Sequence, residues 1–191
     1  MKKQEIKKII HRAKTIALTT HISPDPDGIG SMIALGLGLK SLNKNITLIL
    51  EAPLSQKLSY LDTQALIKET VKTNVKKKYD LFIILDANSI HRIGEKTMKI
   101  QENSNDTLFI DHHPCPPEVM ALHLIDTNFA ATGELVAELL EYFKIKLTKE
   151  VALALYTAIL IDTSNFNYPT MKSRTHHLIG RLIDAGVSPQ E

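Results

Sequence analysis

The sequence predicts an α/β fold, with a mainly parallel sheet flanked by helices and a helical segment after it. Three observations support this prediction. Short apolar runs alternate with stretches of helical periodicity, ionisable residues directly follow several of the apolar runs, and helical periodicity dominates the C-terminal part. Strand–helix alternation is typical of parallel sheets, whose ligands bind beyond the carboxyl ends of the strands. We therefore expect any functional site to lie at that edge.

The individual elements follow in chain order. Apolar residues at helical spacing indicate a helix over residues 4–13, and the run 15–20 indicates a buried strand. Helical periodicity returns over residues 28–42 and breaks at residues 43–45. Further strands are predicted over residues 46–50, 81–85, 107–110 and 123–125. Three more helices are predicted over residues 133–143, 149–161 and 173–185, with Thr148 as an N-cap.

Length and composition exclude several classes of protein. The 191 residues suit one domain, and the net charge of +2 argues against a broad surface for binding polyanions. A single cysteine, Cys115, cannot form an intrachain disulfide and fits a reducing compartment. No apolar run approaches the ~18 residues of a membrane span, and the N-terminus lacks a signal-peptide core. These features predict a cytoplasmic protein that does not cross a membrane.

The loop after the first strand carries the first candidate ligands. His21, Asp25 and Asp27 lie close together there, with a proline between the two aspartates. That spacing lets the two carboxylates reach different partners, which suits two neighbouring metal ions, and Gly28 and Gly30 allow the backbone a close approach. The alternative interpretation is an ordinary Asp-Pro-Asp-Gly turn that caps the next helix.

Three further clusters occupy the ends of other elements. Asp86 follows the apolar run 81–85 and could also be explained as a helix cap. The triplet Asp111–His113 follows another apolar run, and no packing requirement explains three adjacent ionisable residues. Asp162 ends an apolar helix, where the helix dipole disfavours a carboxylate unless a cation lies nearby.

The charges of these clusters favour bound cations. Asp25, Asp27, Asp86 and Asp162 would bring about four negative charges together, which two divalent cations would balance. Mixed aspartate and histidine ligation without a thiolate favours Mn²⁺, while Mg²⁺, Co²⁺ and Zn²⁺ are acceptable substitutes. The sequence therefore predicts two divalent metal ions as cofactors.

The motifs resemble those of the DHH superfamily of phosphoesterases, which is named for the triplet that stands here at residues 111–113. The resemblance covers nearly the whole chain, in the stretches His21–Ser31, Asp86–Asn88, Asp111–Pro114, Ala131–Leu135 and Tyr156–Thr163. It implies that residues 1–185 form a catalytic metal-binding DHH domain. It also implies that residues 186–191 begin a linker towards a second, substrate-binding domain, whose glycine-rich motif this sequence lacks.

The resemblance further implies a two-metal hydrolase in which one carboxylate serves both ions. The implied ligands are His21 and Asp25 for one ion, Asp27, His112 and Asp162 for the other, and Asp86 as the bridge. The implied catalytic residues are His113, beside the phosphate, and Asp111, which would orient His112. Such sites activate a water between two ions for in-line attack on phosphorus, and no covalent intermediate is needed.

Within the superfamily, the sequence is most similar to the NrnA type, small bacterial oligoribonucleases that also hydrolyse 3′-phosphoadenosine 5′-phosphate. Pro114 after the triplet and Phe166 after Asp162 support this likeness. It implies a Mn²⁺-dependent phosphoesterase acting on short RNA or a small nucleotide, and a homodimer is compatible with it. The alternatives are an inorganic pyrophosphatase resembling family II, a phosphodiesterase for linear dinucleotides, and a non-enzymatic regulatory or assembly domain that binds metal.

Overall fold

A six-stranded parallel sheet forms the centre of the protein. The computed structural model describes residues 2–69, 74–114, 122–169 and 171–190. Within them the strands are β1 (Thr15–Thr19), β2 (Asn45–Leu50), β3 (Ile67–Glu69), β4 (Leu81–Leu85), β5 (Asp106–Asp111) and β6 (Leu122–Ile125). Every neighbouring pair is parallel, in the order β3-β2-β1-β4-β5-β6. The predicted α/β class is confirmed.

Helices cover both faces of this sheet. They are α1 (Lys2–Arg12), α2 (Pro26–Lys40), α3 (Glu95–Gln101), α4 (Thr132–Tyr142), α5 (Lys149–Asp162) and α6 (Ser173–Asp184). The predicted helices and strands are all present, with ends that shift by at most two residues. Thr148 is the N-cap of α5, as predicted, because its side chain accepts a hydrogen bond from Val151 N. The structure adds the short elements β3 and α3, which the sequence pattern did not indicate.

The strand order places a crevice where the candidate ligands lie. β1 has β2 on one side and β4 on the other, so successive strands add in opposite directions from this point. Parallel sheets bind ligands beyond the carboxyl ends of their strands at such a reversal. Thr19, the last residue of β1, lies beside Ile84 of β4. The loop after β1 and the residue after β4 are therefore neighbours.

Two apolar layers of unequal size enclose the sheet. Side chains alternate along β4, so that Leu81, Ile83 and Leu85 pack against α2, α4 and α5, while Phe82 and Ile84 contribute to a smaller core on the opposite face. All five residues of β4 are buried, as expected for a central strand that is covered on both sides. The sheet is thus a rigid base for the loops at its edge.

Small residues bring α2, α4 and α5 unusually close together. A Cβ atom at Gly30 of α2 would lie 2.3 Å from the carbonyl oxygen of Ala154 in α5, and one at Gly133 of α4 would lie 2.8 Å from Ala158 Cβ. At Gly28 a Cβ would lie 2.2 Å from Thr20 Oγ1. The absence of a side chain at Gly28 and Gly30 thus lets α2 approach Thr20 and α5 closely.

The structure leaves two predictions untested, the one for Cys115 and the one for the last residues, 186–191. Cys115 and Glu191 lie outside the described residues. Among the residues that are described, no helix is long and apolar enough to cross a membrane.

Candidate metal centre

The loop after β1 leads directly into α2 and presents its two aspartates in different ways. Asp25 is the N-cap of α2, where its Oδ1 accepts from Gly28 N at 2.9 Å. Asp27 lies in the first turn of the helix and is buried, with only 1 % of its side chain exposed. Asp25 therefore caps the helix with one oxygen, while its other oxygen, Oδ2, stays free of the cap and lies 3.7 Å from His21 Nε2.

One group of potential ligands comprises His21, Asp25 and Asp86. Their ligand atoms all lie within 4.8 Å of one another. His21 Nε2 lies 3.7 Å from Asp86 Oδ2, the same distance as from Asp25 Oδ2. Two carboxylates and an imidazole that converge at such distances suit one divalent ion.

A second group comprises Asp27, His112 and Asp162, again within 4.8 Å of one another. His112 Nε2 lies 3.2 Å from Asp162 Oδ2 and 3.8 Å from Asp27 Oδ2. It also lies 3.9 Å from Asp86 Oδ1, which is the oxygen of Asp86 that does not face His21. The six residues that the resemblance implied as ligands therefore come together, and Asp86 faces both groups with different oxygens.

The backbone of Asp86 helps to place its carboxylate between the two groups. Its φ is 54°, in the left-handed region, which aspartate adopts more readily than most residues. Its N–H still donates to Ile110 O at 3.0 Å, so Asp86 remains attached to β5 while the chain turns. The turn and the sheet together fix this carboxylate, which is 2 % exposed.

His112 is prepared as a metal ligand by its surroundings. Its Nδ1 donates to Phe129 O at 3.3 Å, which leaves an unshared electron pair on Nε2. Nε2 is buried and makes no hydrogen bond to any described residue. A buried, unsatisfied imidazole nitrogen directed at two carboxylates is the arrangement that a divalent cation would complete.

The electrostatics of the centre also favour cations. Burial raises the pKa of Asp27 well above its usual value, and repulsion from Asp86 and Asp162 raises it further. Burial also raises the pKa of Asp162. Among the described residues, the four clustered carboxylates form ion pairs with histidines and with no lysine or arginine. The donor set therefore fits two divalent ions, which would supply the missing positive charge.

The expectation that Asp111 orients His112 is wrong. Asp111 Oδ1 instead accepts from both the backbone N and the Nδ1 of His113, each at 2.9 Å. Side chains two residues apart at a strand end point to the same side, which pairs Asp111 with His113 and turns His112 away. The hydrogen bonds to Asp111 and to Asp86 raise the pKa of His113 to about 10. His113 is thus a half-exposed imidazolium at the rim of the centre.

The start of α4 contributes contacts that the sequence did not reveal. Thr132 N and Gly133 N donate to the two oxygens of Asp27, at 2.8 and 2.9 Å, and Thr132 Oγ1 donates to Asp86 Oδ1 at 3.1 Å. The stretch Ala131–Leu135 matched the family motif, but no role was evident for it. The available signal was its position at a predicted helix start, where free N–H groups attract anionic side chains.

Solved structures share this fold. An exopolyphosphatase-related protein from Bacteroides fragilis superposes with a TM-score of 0.89 at 25% sequence identity, over 99% of this chain and 58% of that one. The exonuclease RecJ bound to manganese superposes with a TM-score of 0.53 at 15% identity, over 97% of this chain and 46% of that one, which shows the likeness of fold alone.

Curated relatives match almost the whole chain. The bifunctional oligoribonuclease and PAP phosphatase NrnA of Thermus thermophilus is 28% identical over 176 residues, which cover 92% of this chain and 52% of that protein. The protein of the same name from Bacillus subtilis is 27% identical over 192 residues, covering 99% of this chain and 59% of that protein. The chain thus spans about half the length of such relatives. The model of the DHH family, N-terminal domain, matches residues 15–159, and the chain therefore belongs to the DHH family.

Proposed function

We propose that this chain is a two-metal-dependent phosphoesterase that hydrolyses short oligoribonucleotides, 3′-phosphoadenosine 5′-phosphate or both. The observation that carries the proposal is the position of Asp86 between the two ligand groups, with Oδ2 3.7 Å from His21 Nε2 and Oδ1 3.9 Å from His112 Nε2. Two-metal hydrolases of phosphoesters need such a shared arrangement of hard ligands. The names of the relatives from Thermus thermophilus and Bacillus subtilis support the substrate class.

The proposed ligand sets follow the two groups. They are His21 and Asp25 for one ion, Asp27, His112 and Asp162 for the other, and Asp86 for both. We propose Mn²⁺ as the ion, because carboxylate and imidazole ligands without a thiolate suit it. Residues 1–185 would then act as one catalytic metal-binding unit.

When bound, the ions lower the pKa of a water molecule and neutralise charge on the phosphate. The chain supplies the remaining functions. His113 is held by Asp111, and 44% of its side chain is exposed, so that it can donate a hydrogen bond to a phosphate oxygen. In the metal-free chain, the hydrogen bonds to Asp111 and Asp86 raise the pKa of His113 to about 10. As a hydrogen-bond donor, His113 would stabilise the negative charge that develops during attack. The buried Asp27 and Asp86 hold the centre rigid.

A direct assay tests this function. The chain is incubated with Mn²⁺ and a diribonucleotide, 3′-phosphoadenosine 5′-phosphate or pyrophosphate, and the products are separated by chromatography. We expect weak hydrolysis of one or both of the first two, which chelator abolishes and Asp86→Asn prevents. Thr97→Val is the matched control, because Thr97 lies on α3 and belongs to neither ligand group.

Two outcomes would contradict the proposal. Faster hydrolysis of pyrophosphate than of either nucleotide would favour the pyrophosphatase alternative. Binding of Mn²⁺ without hydrolysis of any of the three substrates, or of an activated nitrophenyl phosphodiester that needs little recognition, would favour the non-enzymatic alternative, a regulatory or assembly domain that binds metal.

A further inference from the structure

We propose that Thr132 is a positioning residue, which holds Asp27 and Asp86 in the orientation that binds metal ions. This inference rests on the proposed two-metal function and concerns a residue that acts through the ligands without touching an ion. It follows from hydrogen bonds that converge on the start of α4, and the one donated by the Thr132 hydroxyl can be removed by substitution.

The hydroxyl of Thr132 fixes the rotation of the Asp86 carboxylate. Thr132 Oγ1 donates to Asp86 Oδ1 at 3.1 Å, and both residues are buried. With Oδ1 held in this way, Oδ2 is directed towards His21 Nε2, 3.7 Å away. Oδ2 of Asp86 faces one ligand group and Oδ1 faces the other, and rotation about the side-chain torsions would lose that arrangement.

The main chain of the same residue holds the other carboxylate. Thr132 N donates to Asp27 Oδ2 at 2.8 Å, while Gly133 N donates to Asp27 Oδ1 at 2.9 Å. These are among the first N–H groups of α4, which have no partner within the helix. Thr132 therefore bonds at once to Asp27, a proposed ligand of one ion, and to Asp86, the proposed bridge between both.

The segment that leads into α4 is itself firmly anchored. Ala130 N donates to the buried side chain of Glu134 at 2.7 Å. The guanidinium of Arg174 lies 3.9 Å from the centroid of the Phe129 ring, and Phe129 O accepts the hydrogen bond from His112. Residues 129–133, which we call the orienting segment, thus contact three proposed ligands that follow three different strands.

Isothermal titration of the metal-free chain with Mn²⁺ tests the role of the hydroxyl. Thr132→Val keeps the shape of the side chain and the backbone N–H but removes the donor to Asp86. We expect its affinity for Mn²⁺ to fall by about tenfold or more, as is typical when a group that orients a metal ligand is lost. Thr132→Ser keeps the donor, so it should retain the wild-type affinity within about threefold.

Thr97→Val is the matched control for the loss of a buried threonine hydroxyl. Thr97 is buried, and its Oγ1 donates to Glu51 Oε2 at 2.8 Å, outside both ligand groups. We expect this variant to melt at a lower temperature while its affinity for Mn²⁺ stays unchanged. The visible absorption of bound Co²⁺ gives a second measure, because it should shift in Thr132→Val and stay as in the wild type in Thr132→Ser and Thr97→Val.

Circular dichroism first establishes that each variant is folded, and Thr132→Ala replaces Thr132→Val if the latter is not. Wild-type affinity in the variant without the hydroxyl would overturn the inference. Equal weakening in Thr132→Ser would also overturn it, because the hydroxyl would then not be the cause. A wild-type chain that binds no Mn²⁺ would overturn the proposed function itself, which distinguishes the two failures.

Discussion

At the scale of single residues, Asp86 combines a left-handed backbone with a carboxylate that faces two groups of ligands. Its φ of 54° suits aspartate, asparagine and glycine better than alanine. Asparagine is therefore the substitution that removes the charge while keeping the turn after β4. This choice separates the loss of a ligand from the strain of an unfavourable backbone conformation.

We predict that Asp86→Asn lowers metal occupancy more than any other single substitution of a ligand, because both proposed ions would lose a carboxylate. Asp25→Asn is the comparison, since asparagine is an equally good N-cap and should preserve α2 while affecting one ion. Occupancy is measured by elemental analysis after gel filtration in Mn²⁺. Full occupancy in Asp86→Asn would show that Asp86 does not bridge the ions.

His113 should behave differently, because we assign it to the phosphate and not to an ion. His113→Ala is expected to retain both metal ions but to lose activity on an activated nitrophenyl phosphodiester by about 100-fold or more, the cost of removing one donor to a developing charge. His91→Ala, which changes an exposed side chain on the 3₁₀ turn Ile90–Ile93, serves as the control and should change neither property. Loss of metal from His113→Ala would make His113 a ligand.

At the scale of elements, Asp80, just before β4, is hydrogen-bonded to the backbone at the start of β1. Its Oδ2 accepts from Lys14 N at 2.8 Å and from Thr15 N at 2.9 Å. These backbone hydrogen bonds lower the pKa of Asp80 below its ordinary value of 3.8. Ionised Asp80 therefore stabilises the folded chain more than protonated Asp80 does, so its contribution to the free energy of unfolding depends on pH.

We predict that Asp80→Asn lowers the melting temperature at pH 7 and that the difference from wild type shrinks in acid. Because the folded pKa is depressed, the stabilisation is complete above pH 3.8 and is lost as the pH falls through the lower, folded value. Asp106→Asn breaks a surface ion pair with Arg12 and should have a smaller effect at pH 7. A difference between wild type and Asp80→Asn that grows in acid would contradict this account.

The contact between α2 and α5 gives a second prediction at this scale. Gly30→Ala would place a methyl group 2.3 Å from Ala154 O, so we expect a loss of about 1–3 kcal/mol in the free energy of unfolding. At Gly180 of α6 no atom of a described residue lies within 4 Å of an added Cβ, and Gly180→Ala should stabilise by about 0.5–1 kcal/mol. Chemical denaturation measures both, and equal effects would show that α2 and α5 can separate at little cost.

The same scale shows what the sequence could and could not predict. β4 and α5 were predictable because their apolar patterns are long and their ends carry polar residues. Short elements were missed: β3 has three residues, and α3 buries only Thr97 and Ile100, too few to show a period.

The candidate site divides in a similar way. The six proposed ligands were predictable because chemically distinctive side chains follow strand or helix ends, and the family motifs match them. Thr132 and Gly133 donate to Asp27 through backbone N–H groups, which every residue except proline has. The residue types at these two positions therefore could not predict the contact. Asp111 was paired with the wrong histidine, because the direction of a side chain beyond a strand end is a matter of three-dimensional structure.

At the scale of the whole molecule, metal binding and folding are coupled. We predict that Mn²⁺ at a hundredfold excess over its dissociation constant stabilises the chain by about 2.7 kcal/mol, because it binds only where the four carboxylates converge. For a chain of this length that corresponds to a rise of about 5–10 °C in melting temperature. Differential scanning fluorimetry with Mn²⁺ and with chelator measures it, with Asp86→Asn as the control. An identical curve in both conditions would exclude the site.

The close packing of α2 against α5 has a consequence for ion selectivity. Asp27 lies in the first turn of α2 and Asp162 is the last residue of α5. The gap between the two carboxylates therefore depends on how near the helices approach each other at Gly30 and Ala154. Mg²⁺ is smaller than Mn²⁺ or Ca²⁺ and tolerates less distortion of its ligand shell. A methyl group added or removed between the helices would therefore change the ionic radius that the centre accepts, while every ligand stays the same.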